Sequence, residues 1–123
     1  MVAPAAGQVV LVPFPFSDLS QSKLRPAIVL ASAGREDWIL CQVTSKPYGD
    51  ARSILLNDSG FESGSLRVES YVRPGKLFTA HQTLMVSEIG RLNEAMFDQI
   101  IEAIVALLKS GTKPKSDEVD STA

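Results

Sequence analysis

Short apolar runs rich in β-branched residues, each closed by proline, glycine or a polar cluster, fill most of the first 80 residues of this chain. Gly7-Gln8-Val9-Val10-Leu11-Val12 reads as a first strand. Pro13-Phe14-Pro15-Phe16 should end it, because proline has no N–H to give to an interior ladder. Residues 17–23 are polar and aperiodic, which predicts a loop. A second strand is expected over 26–31, a turn over 32–37 and a third strand over 38–43, antiparallel to the second because the connection is short. Pro47-Tyr48-Gly49-Asp50 marks a turn before a fourth strand at 52–56, which Asn57-Asp58-Ser59-Gly60 closes. A fifth is expected at 70–73, extending through 76–79 after a local break at Pro74-Gly75. Short strands at regular spacing predict a small, strongly bent antiparallel barrel.

The period changes at Asn93. This residue is a good N-cap, and Phe97, Ile100, Ile101, Ile104, Val105 and Leu108 follow at helical spacing until Ser110-Gly111. The apolar stripe must cover either the open end of the barrel or a partner. The predicted organisation is a flexible arm over 1–6, one barrel domain with a C-terminal helix over 7–110, and a disordered tail over 111–123, where almost nothing is apolar.

Composition narrows the class. A chain of 123 residues supports one core, and 45% hydrophobic with 21% charged residues is ordinary for a packed domain. A single cysteine, Cys41, cannot form an internal disulfide, which fits a reducing compartment. With no signal-like N-terminus and no apolar run long enough to span a bilayer, the expectation is a soluble cytoplasmic protein that does not enter a membrane. The net charge of −2 argues against a nonspecific nucleic-acid binder. The acid is unevenly placed, however: residues 1–76 hold eight Lys or Arg against seven acids, and 77–123 hold four against seven. A local basic cleft is compatible with that distribution.

Several chemistries lack their residues. One His and one Cys, with no Cys-x-x-Cys or His-Glu-x-x-His spacing, give zinc no ligand set. The glycines form neither a phosphate-binding loop nor a dinucleotide fingerprint, and no cofactor is expected. Cys41 lies in an apolar strand and reads as packing, and His81 as a satisfied polar residue. Arg25 stands apart: Pro26 disfavours the α region for it, so the guanidinium is held extended at the mouth of a strand. If the second and third strands form a hairpin, the start of one lies beside the end of the other, near Thr44 and Ser45. A planar fork of donors beside two hydroxyls suits a phosphate. A surface arginine closing a turn is the competing reading, and spacing alone leaves both open.

At these residues the chain resembles the MazF/PemK family, the toxins of bacterial toxin–antitoxin pairs. The matching pieces are Gly7-Gln8-Val9-Val10-Leu11-Val12, Lys23-Leu24-Arg25-Pro26-Ala27-Ile28-Val29-Leu30, Val43-Thr44-Ser45, Ser70-Tyr71-Val72-Arg73 with Leu77-Phe78-Thr79, and Ile89-Gly90-Arg91-Leu92. They occur in the family's order. The resemblance implies a mainly β fold with a C-terminal helix (α+β), an SH3-like small antiparallel barrel. It also implies a homodimer and metal-independent, sequence-specific cleavage of single-stranded RNA, blocked by a cognate acidic antitoxin. By the same resemblance, Arg25 and Thr44 are the catalytic positions, with Ser45 a neighbouring hydroxyl; the residues expected to bind RNA are Phe16, Ser17, Lys23, Ser45, Lys46 and Arg73.

Two departures stand out. Ser17-Asp18-Leu19-Ser20-Gln21-Ser22 replaces a Gly-Ser-Glu-Gln type loop, and Gly75 stands where some relatives carry an acid two positions beyond the arginine matched by Arg73. Arg73 is then either an RNA contact without an acidic partner or a structural residue. The alternative functions are a catalytically silent barrel gripping RNA or a peptide, and a dimer scaffold joined through the Phe97 to Leu108 stripe.

Overall fold

The computed structural model describes residues 3–15, 22–47 and 49–111. Its strands are β1 (Gln8–Pro15), β2 (Ser22–Gly34), β3 (Asp37–Thr44), β4 (Ile54–Leu56), β5 (Phe61–Gly64), β6 (Ser70–His81) and β7 (Ser87–Leu92), followed by one helix, α1 (Glu94–Ser110). The strands form one seven-stranded sheet in the order β4-β6-β3-β2-β1-β7-β5. Every neighbouring pair is antiparallel. The mainly β architecture with a C-terminal helix is therefore as expected, a curled antiparallel sheet with the helix against one face.

The prolines behave differently from expectation. β1 does not stop at Val12 but continues through Pro13, Phe14 and Pro15, paired with β2 as far as Pro15↔Ser22. The reason lies on its other side: β7 pairs with β1 only up to Leu11↔Ser87, so from Val12 onward β1 has a free edge that tolerates proline. Pro26 likewise sits inside a 13-residue strand rather than at its start. The ladder between β2 and β3 begins only at Ala27↔Gln42, which leaves Pro26 at the point where that side is unpaired.

Two residues suffice for the β2–β3 turn. Gly34 pairs with Asp37, and both Arg35 (φ 56°) and Glu36 (φ 67°) adopt the left-handed conformation of a tight hairpin. The expected break at Pro74-Gly75 is a bulge within continuous β6, where the register to β3 shifts between Cys41 and Val43. β5 and β7 have too little apolar alternation to announce themselves. They meet at the Gly64↔Gly90 pair, and a Cβ on Gly64 would overlap the Ile89 carbonyl and come within 2.6 Å of Gly90 Cα.

Two clusters of buried side chains occupy opposite faces of the sheet. One joins Val9, Ile28, Cys41, Val43 and Val72 to Ile100 and Ile104 of α1. Full burial of an isoleucine is worth about 1.5–3 kcal/mol, so these two side chains anchor the helix. Asn93 caps it as expected, its Oδ1 accepting from Met96 N–H at 2.8 Å. The stripe then leaves the core: Val105 and Leu108 are 42% and 64% exposed. The second cluster, on the face away from α1, contains Val10, Val12, Ala27, Val29, Leu40, Ala80 and Met85. At the N-terminal end Pro4 is buried and Ala5 N–H donates to Gln8 Oε1 at 2.9 Å. Among the described residues no helix is long and apolar enough to cross a membrane.

Candidate active site

In an antiparallel ladder, residues directly opposite one another share a face, and the face alternates along each strand. Val12 lies opposite Arg25, Ala27 opposite Gln42, and Thr44 opposite Tyr71. Arg25 is two residues before Ala27, and Thr44 two residues after Gln42. Both therefore leave the ladder in the same direction and on the same face, the one turned away from α1. The hairpin geometry that the sequence required is present.

Arg25 is half-buried, with its Nε shielded from solvent. A guanidinium so placed is presented by a rigid strand, with its fork of donors set in one orientation. Thr44 is also half-buried, and its Oγ1 accepts from the Lys46 N–H at 3.1 Å. That bond occupies a lone pair and leaves the hydroxyl proton available for donation to an oxygen beside it. Ser45 and Lys46 are exposed just beyond the end of β3. Lys23 is exposed and pairs with Phe14, which places it on the Arg25 face at the start of β2. Phe16 and Ser17 lie outside the described residues.

Arg73, two residues past Tyr71, shares this face but is engaged. Its Nε is 3.2 Å from Asp50 Oδ2, with both side chains about four-fifths buried. An acidic partner therefore exists, supplied by the turn before β4 and not by the position that Gly75 fills. Burial tends to push the Asp50 carboxyl up. The hydrogen bonds from Arg52 N–H and the Arg73 side chain, with the charges of both arginines, outweigh burial and hold it below the ordinary 3.8. The sequence offered no signal for this pair, because 23 residues separate its members.

Cys41 is fully buried, its Sγ 3.2 Å from the Arg73 carbonyl, and burial pushes its thiol up to about 12. It takes no part in solution chemistry near neutral pH. His81 sits at the opposite end of β3, opposite Asp37, with Nδ1 accepting from Thr83 N–H at 3.2 Å and Nε2 3.4 Å from Glu36. It is remote from the Arg25 end of the sheet.

Next to the cationic end lies an apolar cleft of about 520 Å³. Phe14 and Phe78 line it, their rings edge-to-face with centroids 4.7 Å apart. Gln42, Lys76 and Thr79 are the polar residues of its lining. Gln42, a polar residue inside the Trp38 to Val43 run, is the one sign in the sequence that this face of β3 is not simply core.

Comparison with known proteins bears on the fold. A mycobacterial endoribonuclease, solved with its cognate antitoxin, superimposes with a TM-score of 0.67 at 16% identity, over 89% of this chain and 96% of that one. MazF in a MazE–MazF complex from Deinococcus radiodurans gives 0.68 at 20% identity, over 87% and 97%. The Mycobacterium tuberculosis toxin MazF-mt6 gives 0.65 at 16% identity, over 83% and 96%. At such identities the likeness establishes the fold. Curated protein sequences provide no significant match. The sequence model of the PemK-like, MazF-like toxins of type II toxin–antitoxin systems matches residues 5–108, nearly the whole described domain, and the chain belongs to that family.

Proposed function

We propose that this protein is the toxin of a type II toxin–antitoxin pair and a sequence-specific endoribonuclease acting on single-stranded RNA without a metal ion. The observation that carries the reading is the common exit of Arg25 and Thr44 from the β2–β3 ladder, on the face that α1 leaves uncovered. In this reaction the ribose 2′-oxygen attacks the adjacent phosphorus and the bond to the 5′-oxygen breaks. The products are a 2′,3′-cyclic phosphate and a 5′-hydroxyl. The 2′-hydroxyl gives up a proton and the 5′-oxygen gains one.

Charge accumulates on the non-bridging oxygens as phosphorus becomes five-coordinate. Arg25 stabilises that charge with donors fixed in advance, and Thr44 O–H orients the same group. Arg25, a guanidinium with donors and no acceptor, does not serve as the base that takes the 2′ proton. Lys23, Ser45 and Lys46 guide the flanking phosphates, and Arg73, its charge offset by Asp50, contacts the RNA from the same face. The protein works as a homodimer. An acidic segment of the cognate antitoxin occupies the same cationic end and competes with RNA for it.

Incubation of the purified protein with long RNA in excess chelator tests this directly. Cleavage that leaves cyclic phosphate ends and disappears in Arg25→Ala is the expected result. Intact RNA with undiminished binding would instead make the protein a silent binding module.

A further inference from the structure

The cleft beside Arg25 and Thr44 contains a feature that catalysis leaves unexplained. Gln42 Oε1 is a side-chain acceptor shielded from solvent with no hydrogen-bond partner among the described residues. A desolvated acceptor left unpaired is costly, and a fold keeps one where something else supplies the donor. Gln42 lines the apolar cleft, and Thr44 is two positions further along the same face of β3. We infer that this cleft seats one unstacked nucleobase next to the cleaved phosphate, and that the Gln42 amide turns toward the cleft to read an N–H on that base's edge.

This inference rests on the endoribonuclease reading and names the part of the site that selects sequence. The occupant follows from the lining. Phe14 and Phe78 offer aromatic surface to a flat ring, and single-stranded RNA is recognised by stacking splayed bases on aromatic side chains while their edges form hydrogen bonds. Lys76 at the cleft, with Lys23 and Arg25 on the same face, suits a ligand whose charge is negative on both sides of the base. An aliphatic side chain in the cleft would leave Gln42 Oε1 unpaired, and a basic one would meet the lysine. A base carrying an amino or imino N–H satisfies every group.

The test combines selection and binding. Wild type and the near-isosteric Gln42→Met are each given a randomised RNA, and their cleavage sites are sequenced. Base preference at one position beside the cleaved bond should fall about tenfold in Gln42→Met, the loss expected for one specific hydrogen bond. Affinity is then measured for all-2′-deoxy oligonucleotides of the preferred sequence. Wild type should bind about tenfold more weakly when the base at that position is replaced by an analogue lacking the N–H, a result that needs no variant to fold.

An unchanged cleavage profile, or equal affinity for the analogue, overturns the inference while leaving the nuclease intact. If wild type cleaves no RNA, the nuclease reading fails by itself. Binding of a randomised all-2′-deoxy oligonucleotide pool then decides the cleft: a base preference lost in Gln42→Met sustains it, and no preference sinks it. Altered sedimentation of Gln42→Met with unchanged RNA selection would assign the cleft to a second copy of the chain and overturn the nucleobase.

Discussion

The two faces of the sheet are built from the same strands and serve opposite ends. On the face under α1, Val9, Ile28, Cys41, Val43 and Val72 meet Ile100 and Ile104 with almost nothing polar between them. On the other face the apolar cluster ends at Val12, Ala27 and Leu40, and beyond it the same strands carry Arg25, Gln42, Thr44 and Arg73. The covered face reaches its lowest free energy when the chain is folded. The open face retains a half-buried cation and an acceptor, Gln42 Oε1, that has no hydrogen-bond partner among the described residues. One face stabilises the molecule and the other is left poised for a ligand, as expected where site residues override the folding optimum.

The sharpest way to break that division is to exchange the effects. Ile100→Ala opens a cavity under the helix and should cost about 2–5 kcal/mol of stability, measured by urea unfolding, with RNA cleavage retained below the transition. Arg25→Ala should do the reverse, lowering kcat/KM for RNA by about 10²–10³-fold while the unfolding midpoint moves little. If either variant damages both properties equally, the faces are not separable. Thr44→Val keeps shape and removes the hydroxyl; about a tenfold loss in cleavage at unchanged affinity would mark it as orienting the phosphate.

Smaller effects refine the comparison. Asn93→Ala removes the cap on α1 and should cost about 1 kcal/mol in thermal unfolding without changing cleavage. Asp50 belongs to the open face, and its carboxyl is held below 3.8. A depressed pKa contributes stability that is present above the unfolded value and disappears as pH falls through the folded one. Wild type should therefore lose up to about 1 kcal/mol relative to Asp50→Asn on acidification below pH 4, and the two should differ by a constant amount above pH 5. Leu108→Gln, on the exposed end of α1, should change monomer stability by less than about 0.5 kcal/mol. A larger loss that depends on protein concentration would place a partner there.

Much of this layout was legible beforehand. The helix was plain from Asn93 onward, because capping chemistry and a 3.6-residue period are both local. The β2–β3 hairpin was legible too, since a short polar connection between apolar runs leaves few alternatives. From that hairpin alone Arg25 could be set beside Thr44. The proline segment was misjudged because whether proline is tolerated depends on which neighbour is missing, and that is a property of the assembled sheet. β5 and β7 were missed because their pairing relies on the absence of side chains at Gly64 and Gly90.

Sequence by itself determined the strand-rich class, the capped helix, the hairpin and the pair of residues at its open end, all of which follow from contacts between near neighbours in the chain. Tertiary structure decided the rest. It chose Asp50 as the partner of Arg73 across 23 residues, buried Cys41 beyond reaction, and brought Phe14 and Phe78 together from strands far apart in sequence. It also shielded the Gln42 acceptor from solvent with no partner among the described residues, which no local pattern encodes, because burial is set by what the remainder of the molecule packs around an atom.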